Sequence, residues 1–335
     1  MQIFKNANYD FIRWRWHALL LSSVIIIGGL AFTLARNGIP LGIDFTGGTI
    51  VVLRFQQPVS DAAVRSALDA LPGEKVVQQY GDSAQNEILI RFPQTHDQEQ
   101  GFGLEASSQQ AIAAIQKANI GKFDVLSTEV VGPVVGKDLQ RKGIYATLAS
   151  ILGISAYIAL RFRLIFAVGA LVATLHDIFV VLAMMSFAGY ELSLNVVAAI
   201  LTIAGYSVND TIVIFDRVRE NMRSMRREPL DKIVNRSVNQ TLGRTLLTAG
   251  TTLFAVLALY LFGGEVLRGF AFAMLVGVIT GTYSTVFIAA AIAIILSRRE
   301  FSRRTTTAQA TGNARQVSAA TPEVPRKPGR NVRVS

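Results

Sequence analysis

Six stretches of this chain stay apolar for roughly 18 residues or longer: Ala18 to Ala35, Gly143 to Leu160, Leu164 to Ala188, Ser193 to Phe215, Thr245 to Phe262 and Phe270 to Leu296. At about 1.5 Å per residue each can cross a hydrocarbon core about 30 Å thick, so each predicts a transmembrane helix. Between the first and second stretches, across residues 37–140, the pattern breaks into short elements. Thr49 to Phe55 alternates like a strand, and the segment from Ser60 has a capping serine and helical apolar spacing. "KVVQQY" and "NEILIRF" flank the turn-rich "GDSAQ" and read as a hairpin. A helix from Leu104 to Ala118 and a strand "FDVLSTEVV" complete a β-α-β-β-α-β order. The predicted fold is an α-helical polytopic membrane protein: six spans, with one ferredoxin-like α+β domain between spans one and two.

Composition agrees with a membrane class, since 51% of the 335 residues are hydrophobic and 17% charged. The first stretch is flanked by Trp14, Arg15, Trp16 and His17, with no small-residue cleavage site close behind, so it is expected to be retained as a helix. The net charge of +10 is unevenly placed. Lys5, Arg13 and Arg15, then Arg161 and Arg163, then the run from Arg217 to Arg236, then Arg298 to Arg304 all fall on one side of a six-span topology. Positive residues mark the cytoplasmic side. The predicted layout is therefore a cytoplasmic N-terminus (1–17), span one (18–35), an outer, periplasmic domain (37–140), spans two to six (143–296) with a basic cytoplasmic loop at 216–243, and a tail (297–335) without apolar periodicity, expected to be disordered. Anionic membrane lipid or an acidic partner suits the basic face. Nucleic acid does not, because no aromatic-basic interleaving or known motif accompanies the charge. Cysteine is absent, so the outer domain folds without disulfides.

Two glycine-containing stretches bracket the outer domain: "LGIDFTGG", with Gly42, Gly47 and Gly48, and "VGPVVGKDL", with Gly132, Pro133 and Gly136. They serve either as plain connector turns or as hinges that let the domain swing. Neither matches a phosphate-cradling loop.

The chemistry lies inside the membrane. Asp210 falls about 9 Å before the charge at Asp216, too deep for so short a side chain to reach water. At 100° per residue Thr202, Gly205, Tyr206, Asn209 and Asp210 share one arc of the helix, a polar seam facing protein or water. Arg244 opens the fifth stretch on the same side, with Thr241, Thr248, Thr251 and Thr252 on its face. Burial favours the neutral acid and a nearby guanidinium the carboxylate, so a change in the Asp210 to Arg244 distance can load or release a proton. A lock between two helices is the other role such a pair can play. A second polar site, His176 and Asp177, stands near the middle of the third stretch; adjacent residues point about 100° apart, which argues against one shared site. His176 could relay a proton or simply bond a backbone group. Thr280, Gly281, Thr282, Ser284 and Thr285 in the sixth stretch suit close helix packing.

Taken in order, "GIDFTGG", "VGPVVGKDL", "LHD", "GYSVNDTIVIFDRVREN" and "TLGRTLLTAGTTL" resemble the SecF family of bacterial protein-export membrane proteins over nearly the whole chain except the tail. The resemblance implies a subunit paired with SecD in a pseudo-symmetric unit of the resistance-nodulation-division type. It implies assistance to the SecYEG channel and the SecA motor, with proton flow driving preprotein translocation across the cytoplasmic membrane. It also implies a proton-coupling carboxylate at Asp210 and an essential arginine at Arg244; the helical arcs read above add Asn209, Tyr206 and Thr248 as a supporting seam. No cofactor, metal or enzymatic activity is expected. Three other readings compete. A small-molecule exporter of the same superfamily needs two six-span halves and larger outer loops. An intramembrane aspartyl protease using Asp177 and Asp210 needs a Gly-x-Gly-Asp context where "SVND" stands, and helix rise places the two acids at different depths. A purely structural translocon subunit needs no titrating acid. Sodium could replace the proton, since carboxylate and hydroxyl oxygens suit either ion.

Overall fold

The computed structural model describes residues 7–36, 38–71, 75–81, 85–93 and 102–297. The tail beyond 297 and the first six residues lie outside them, as does most of the "GDSAQ" turn. In chain order the elements are α1 (Arg15–Ala35), a short α2 (Ile43–Thr46), β1 (Gly48–Phe55), α3 (Asp61–Leu68), β2 (Val76–Tyr80), β3 (Glu87–Pro93), α4 (Phe102–Ala118), β4 (Phe123–Val131), α5 (Pro133–Arg161), α6 (Leu164–Ala188), α7 (Leu194–Ser224), α8 (Leu230–Phe262) and α9 (Glu265–Ser284). A π-helical turn, Thr285–Ala289, follows directly, and the helix runs on to Ser297.

The segment between the first two spans forms the predicted elements. Alternation drives them: Val51, Leu53 and Phe55 of β1, Val77 of β2, and Ile88, Ile90 and Phe92 of β3 point to one face and pack on Val64, Leu68, Ala111 and Ile115 of α3 and α4. Ser60 caps α3, its Oγ accepting from the Ala63 N–H at 3.3 Å. The sheet order is β2-β3-β1-β4 and every neighbouring pair is antiparallel. The β1–β4 register shifts between Val52 and Leu53. β4 is an edge, largely exposed along its length.

Six helices are long and apolar enough to cross a membrane, matching the six predicted spans. They form two groups. α6, α7 and α9 are half or more buried within the chain, whereas α1, α5 and α8 are mostly uncovered. The buried trio approaches closely because small residues face one another. A Cβ on Gly281 of α9 would stand 3.2 Å from the Ser207 Cβ of α7.

One difference from the sequence expectation changes the geometry of the site. The basic segment 216–243 is not a loop: α7 continues to Ser224, α8 already begins at Leu230, and only a tight turn separates them. An apolar stripe through the charged residues holds these arms together, with Val218, Ile233, Val234 and Val238 buried. Pro229 stands at the N-cap of α8 and fixes its start. The N-terminal segment docks on these arms, where the Asn239 and Asn235 side chains accept from the Tyr9 and Phe11 N–H groups at 2.8 and 2.9 Å.

Candidate functional site: two intramembrane acids

The glycine stretches that bracket the outer domain are fastened to each other. Gly47 and Gly48 have φ of 75° and 137°, which turn α2 into β1. Gly136, in the first turn of α5, lies so close to α2 that a Cβ would stand 3.0 Å from the Phe45 carbonyl oxygen. Gly132 is the N-cap of α5 and Pro133 its first residue. The Gly42 N–H donates to the Leu192 carbonyl at 2.8 Å, and Leu192 N–H returns a bond to Pro40 at 2.8 Å. Asp44, which the sequence did not single out, accepts from the Leu194 N–H at 2.8 Å and so caps α7. Arg91 of β3 pairs with Glu191 in the α6–α7 connection. These contacts make a packed joint of what the sequence left open as a free hinge.

The buried face of α7 presents Ile203, Ser207, Asp210, Thr211 and Ile214 to the trio. Thr202, Gly205 and Asn209, on its other side, are exposed. Asp210 sits at the border between the two faces and is 3% exposed. Its Oδ2 has no hydrogen-bond partner. Arg244 of α8 acts on it electrostatically, yet the two do not close into an ion pair among those of the described residues. Arg244 itself is exposed. Tyr206 is half-buried against Thr248 and Thr252 of α8, whose hydroxyls lie close enough to interact with its own, although none of these contacts has the geometry of a well-formed hydrogen bond among the described residues. The α8 hydroxyls bond back to their own helix instead: Thr248 donates to the Arg244 carbonyl at 3.1 Å and Thr251 to that of Leu247 at 3.0 Å. Of six buried side-chain polar atoms without a partner among the described residues, three belong to the α7–α8 pair: Asp210 Oδ2, Tyr206 OH and Thr245 Oγ1.

The second site corrects two expectations. His176 and Asp177 do share one place: His176 Nδ1 lies 3.0 Å from Asp177 Oδ1, because the longer imidazole folds back across the angle that separates adjacent residues. Asp177 is 0% exposed and its other oxygen accepts from Ser207 Oγ at 2.5 Å and Ser284 Oγ at 2.8 Å. The acids also lie at neighbouring depths, since Ser207 is one turn from Asp210 on α7. The depth argument failed because α7 does not end at its first charge. Around this centre Thr211 and Thr285 hydroxyls meet at 3.0 Å, His176 stacks on Tyr283 with ring centroids 6.3 Å apart, and the Tyr283 hydroxyl donates to the Ala18 carbonyl of α1 at 2.7 Å. Ser284 and Thr285, expected to serve packing alone, also bond across helices. The signal available in the sequence was the set of small polar residues on facing helices, Ser207 and Ser284.

This geometry defines a polytopic membrane protein with two buried acids among its spans. The family described as "Protein export membrane protein SecD/SecF, C-terminal" matches residues 111–299, and the "SecD/SecF GG Motif" matches residues 32–59. The chain is 42% identical over 298 residues to the protein translocase subunit SecF of Vibrio alginolyticus, covering 88% of this chain and 92% of that one. It is 38% identical over 292 residues to SecF of Escherichia coli O157:H7, covering 87% and 88%. The crystal structure of SecDF, a translocon-associated membrane protein from Thermus thermophilus, superposes with a TM-score of 0.77 at 34% identity over 89% of this chain. SecDF in a super-membrane-facing form gives 0.65 at 34% identity over 90%. This chain spans 40% of the length of either SecDF chain. The chain belongs to the SecF family of protein translocase subunits.

Proposed function

We propose that this chain, paired with SecD, uses the proton-motive force to promote preprotein translocation through SecYEG, with SecA, across the bacterial cytoplasmic membrane. Asp210 is the proton-coupling group and Arg244 the fixed charge that governs it. The observation that carries this reading is the unbonded oxygen of a buried carboxyl, within the field of an arginine that has not closed on it. A buried polar group left unpaired costs about 1–3 kcal/mol. Protonation relieves it in one conformation, and approach of the guanidinium relieves it in another. The two states differ by a movement of α8 against α7, and each charge that crosses 100 mV supplies about 2.3 kcal/mol to drive the exchange.

The orientation follows from charge. Arg13 and Arg15, Arg161 and Arg163, and the arms around Arg217 to Arg236 gather at one end of the spans, and this end is cytoplasmic, with both termini. The sheet unit then faces the periplasm, and its split β-α-β order supports a ferredoxin-like domain that handles the emerging chain. The uncovered faces of α5 and α8 fit a subunit completed by SecD. No enzymatic step belongs to this reading.

The test is preprotein export into inverted membrane vesicles under an imposed proton or sodium gradient, with wild type, Asp210→Asn and Arg244→Met. A proton gradient is expected to stimulate wild type and leave both variants at the level seen without a gradient. Stimulation by sodium alone, or stimulation that survives both substitutions, overturns the mechanism.

A further inference from the structure

A cavity of about 440 Å³ opens where α5, α6 and α7 end, lined by Arg161, Arg163, Arg219 and Arg223 over Phe162, Phe166 and Met222. No acidic residue lines it among the described residues. Arg161 closes α5, lies over the Phe162 ring at 5.3 Å and meets Asp216 at 3.3 Å. Glu220, the other nearby acid, is held by Arg217. Arg163, Arg219 and Arg223 have no anionic partner among the described residues. Arg163 is also the N-cap of α6 and makes no side-chain capping bond, so the N-terminus of a 25-residue helix borders the same space. Four guanidinium groups gathered around one cavity repel one another unless an anion lies between them.

The floor and the surroundings specify the anion further. Phe162 and Phe166 are buried, and beside the cavity Leu160 and Leu164 are 90% and 72% exposed on the spans themselves. An occupant that fits carries phosphate at one end, for the arginine forks, and hydrocarbon at the other, to lie along Leu160 and Leu164. We propose that this cavity is a headgroup site for an anionic phospholipid bearing two phosphates, which matches the three unpaired arginines and the shared fourth better than a single charge does. The site rests on the orientation proposed above, which puts the cavity at the cytoplasmic interface where such headgroups lie. Its place at the end of α7, the helix of Asp210, makes the bound lipid a support for the cytoplasmic arm of that helix.

The experiment uses the delipidated SecD-containing complex in detergent, with native mass spectrometry to count retained lipid. The probes are a diphosphate phospholipid, a zwitterionic phospholipid and inorganic phosphate. Wild type is expected to retain the diphosphate lipid selectively. Arg163→Gln, Arg219→Gln and Arg223→Gln combined should weaken retention about a hundredfold, at roughly a factor of five for each arginine. Arg226→Gln with Arg227→Gln, which removes charge outside the cavity, should leave it unchanged. Equal retention of the zwitterionic lipid, displacement by millimolar phosphate, or retention that survives the triple substitution overturns the site. Sidedness is read separately: the chain lacks cysteine, so a single cysteine replacing Arg226 reports which side of the membrane is labelled. Labelling from outside removes the orientation while leaving the binding result standing.

Discussion

Asp177 and Asp210 are both buried acids of membrane-spanning helices, yet both oxygens of the first are bonded and Oδ2 of the second is not. Asp177 stands where α6, α7 and α9 meet through small residues, and the close approach of Gly281 to Ser207 brings hydroxyls from two helices within reach. Asp210 stands one turn along α7, where the neighbour is α8, whose threonines bond back to their own helix. Burial alone therefore does not tell the two acids apart; their hydrogen bonding does. A carboxyl with every oxygen engaged is a lock; one whose oxygen is unbonded, facing a helix that is itself mostly uncovered, is free to exchange partners.

The strongest way to break this comparison is to substitute each acid in turn. Asp210→Asn should abolish stimulation by the proton gradient while the thermal unfolding of the purified complex stays as in wild type. Asp177→Asn should do the reverse in kind, lowering stability by about 1–3 kcal/mol as serine donors face an amide. If Asp177→Asn unfolds at the wild-type temperature and loses only the gradient response, the two roles are exchanged. Next in size, Gly281→Leu forces a side chain into the α7–α9 contact and should cost about 1–3 kcal/mol, read by the same unfolding assay. It should also weaken the Asp177 bonds without touching the α7–α8 seam. The smallest effect is expected from Thr248→Val. Its hydroxyl donates to its own backbone and meets Tyr206 only weakly, so stability should move by no more than about 0.5 kcal/mol and export stay near wild type. A large export defect would place that hydroxyl in the coupling path and sharpen the boundary between the two sites.

The spans were legible because twenty apolar residues in a row have few other uses, and the sheet because alternation at Val51, Leu53 and Phe55 has a period no helix shares. Both ends of α6 were legible, but not the ends at which a helix runs on beyond its apolar stretch. α7 runs past Asp216 because Val218 and Asn221 are buried against α8, a tertiary fact that no local charge count carries. Asp210 stood out as a carboxylate in an oily run. His176 and Asp177 stood out as a second polar pair, but their serine partners did not, since Ser207 and Ser284 lie 30 and 107 residues away and serine is unremarked in a helix. The angle between adjacent side chains also argued wrongly, because it describes where Cβ atoms point and not where an imidazole can fold.

Asp44 gives the arrangement a mechanical reach. It lies on the stem that leads into β1, and its carboxylate holds the first amide of the helix that carries Asp210, about 24 Å further along at about 1.5 Å per residue. This contact ties the foot of α7 to the stem of the sheet. If the proposed proton exchange at Asp210 moves α7 along its axis, the base of the sheet is expected to move with it.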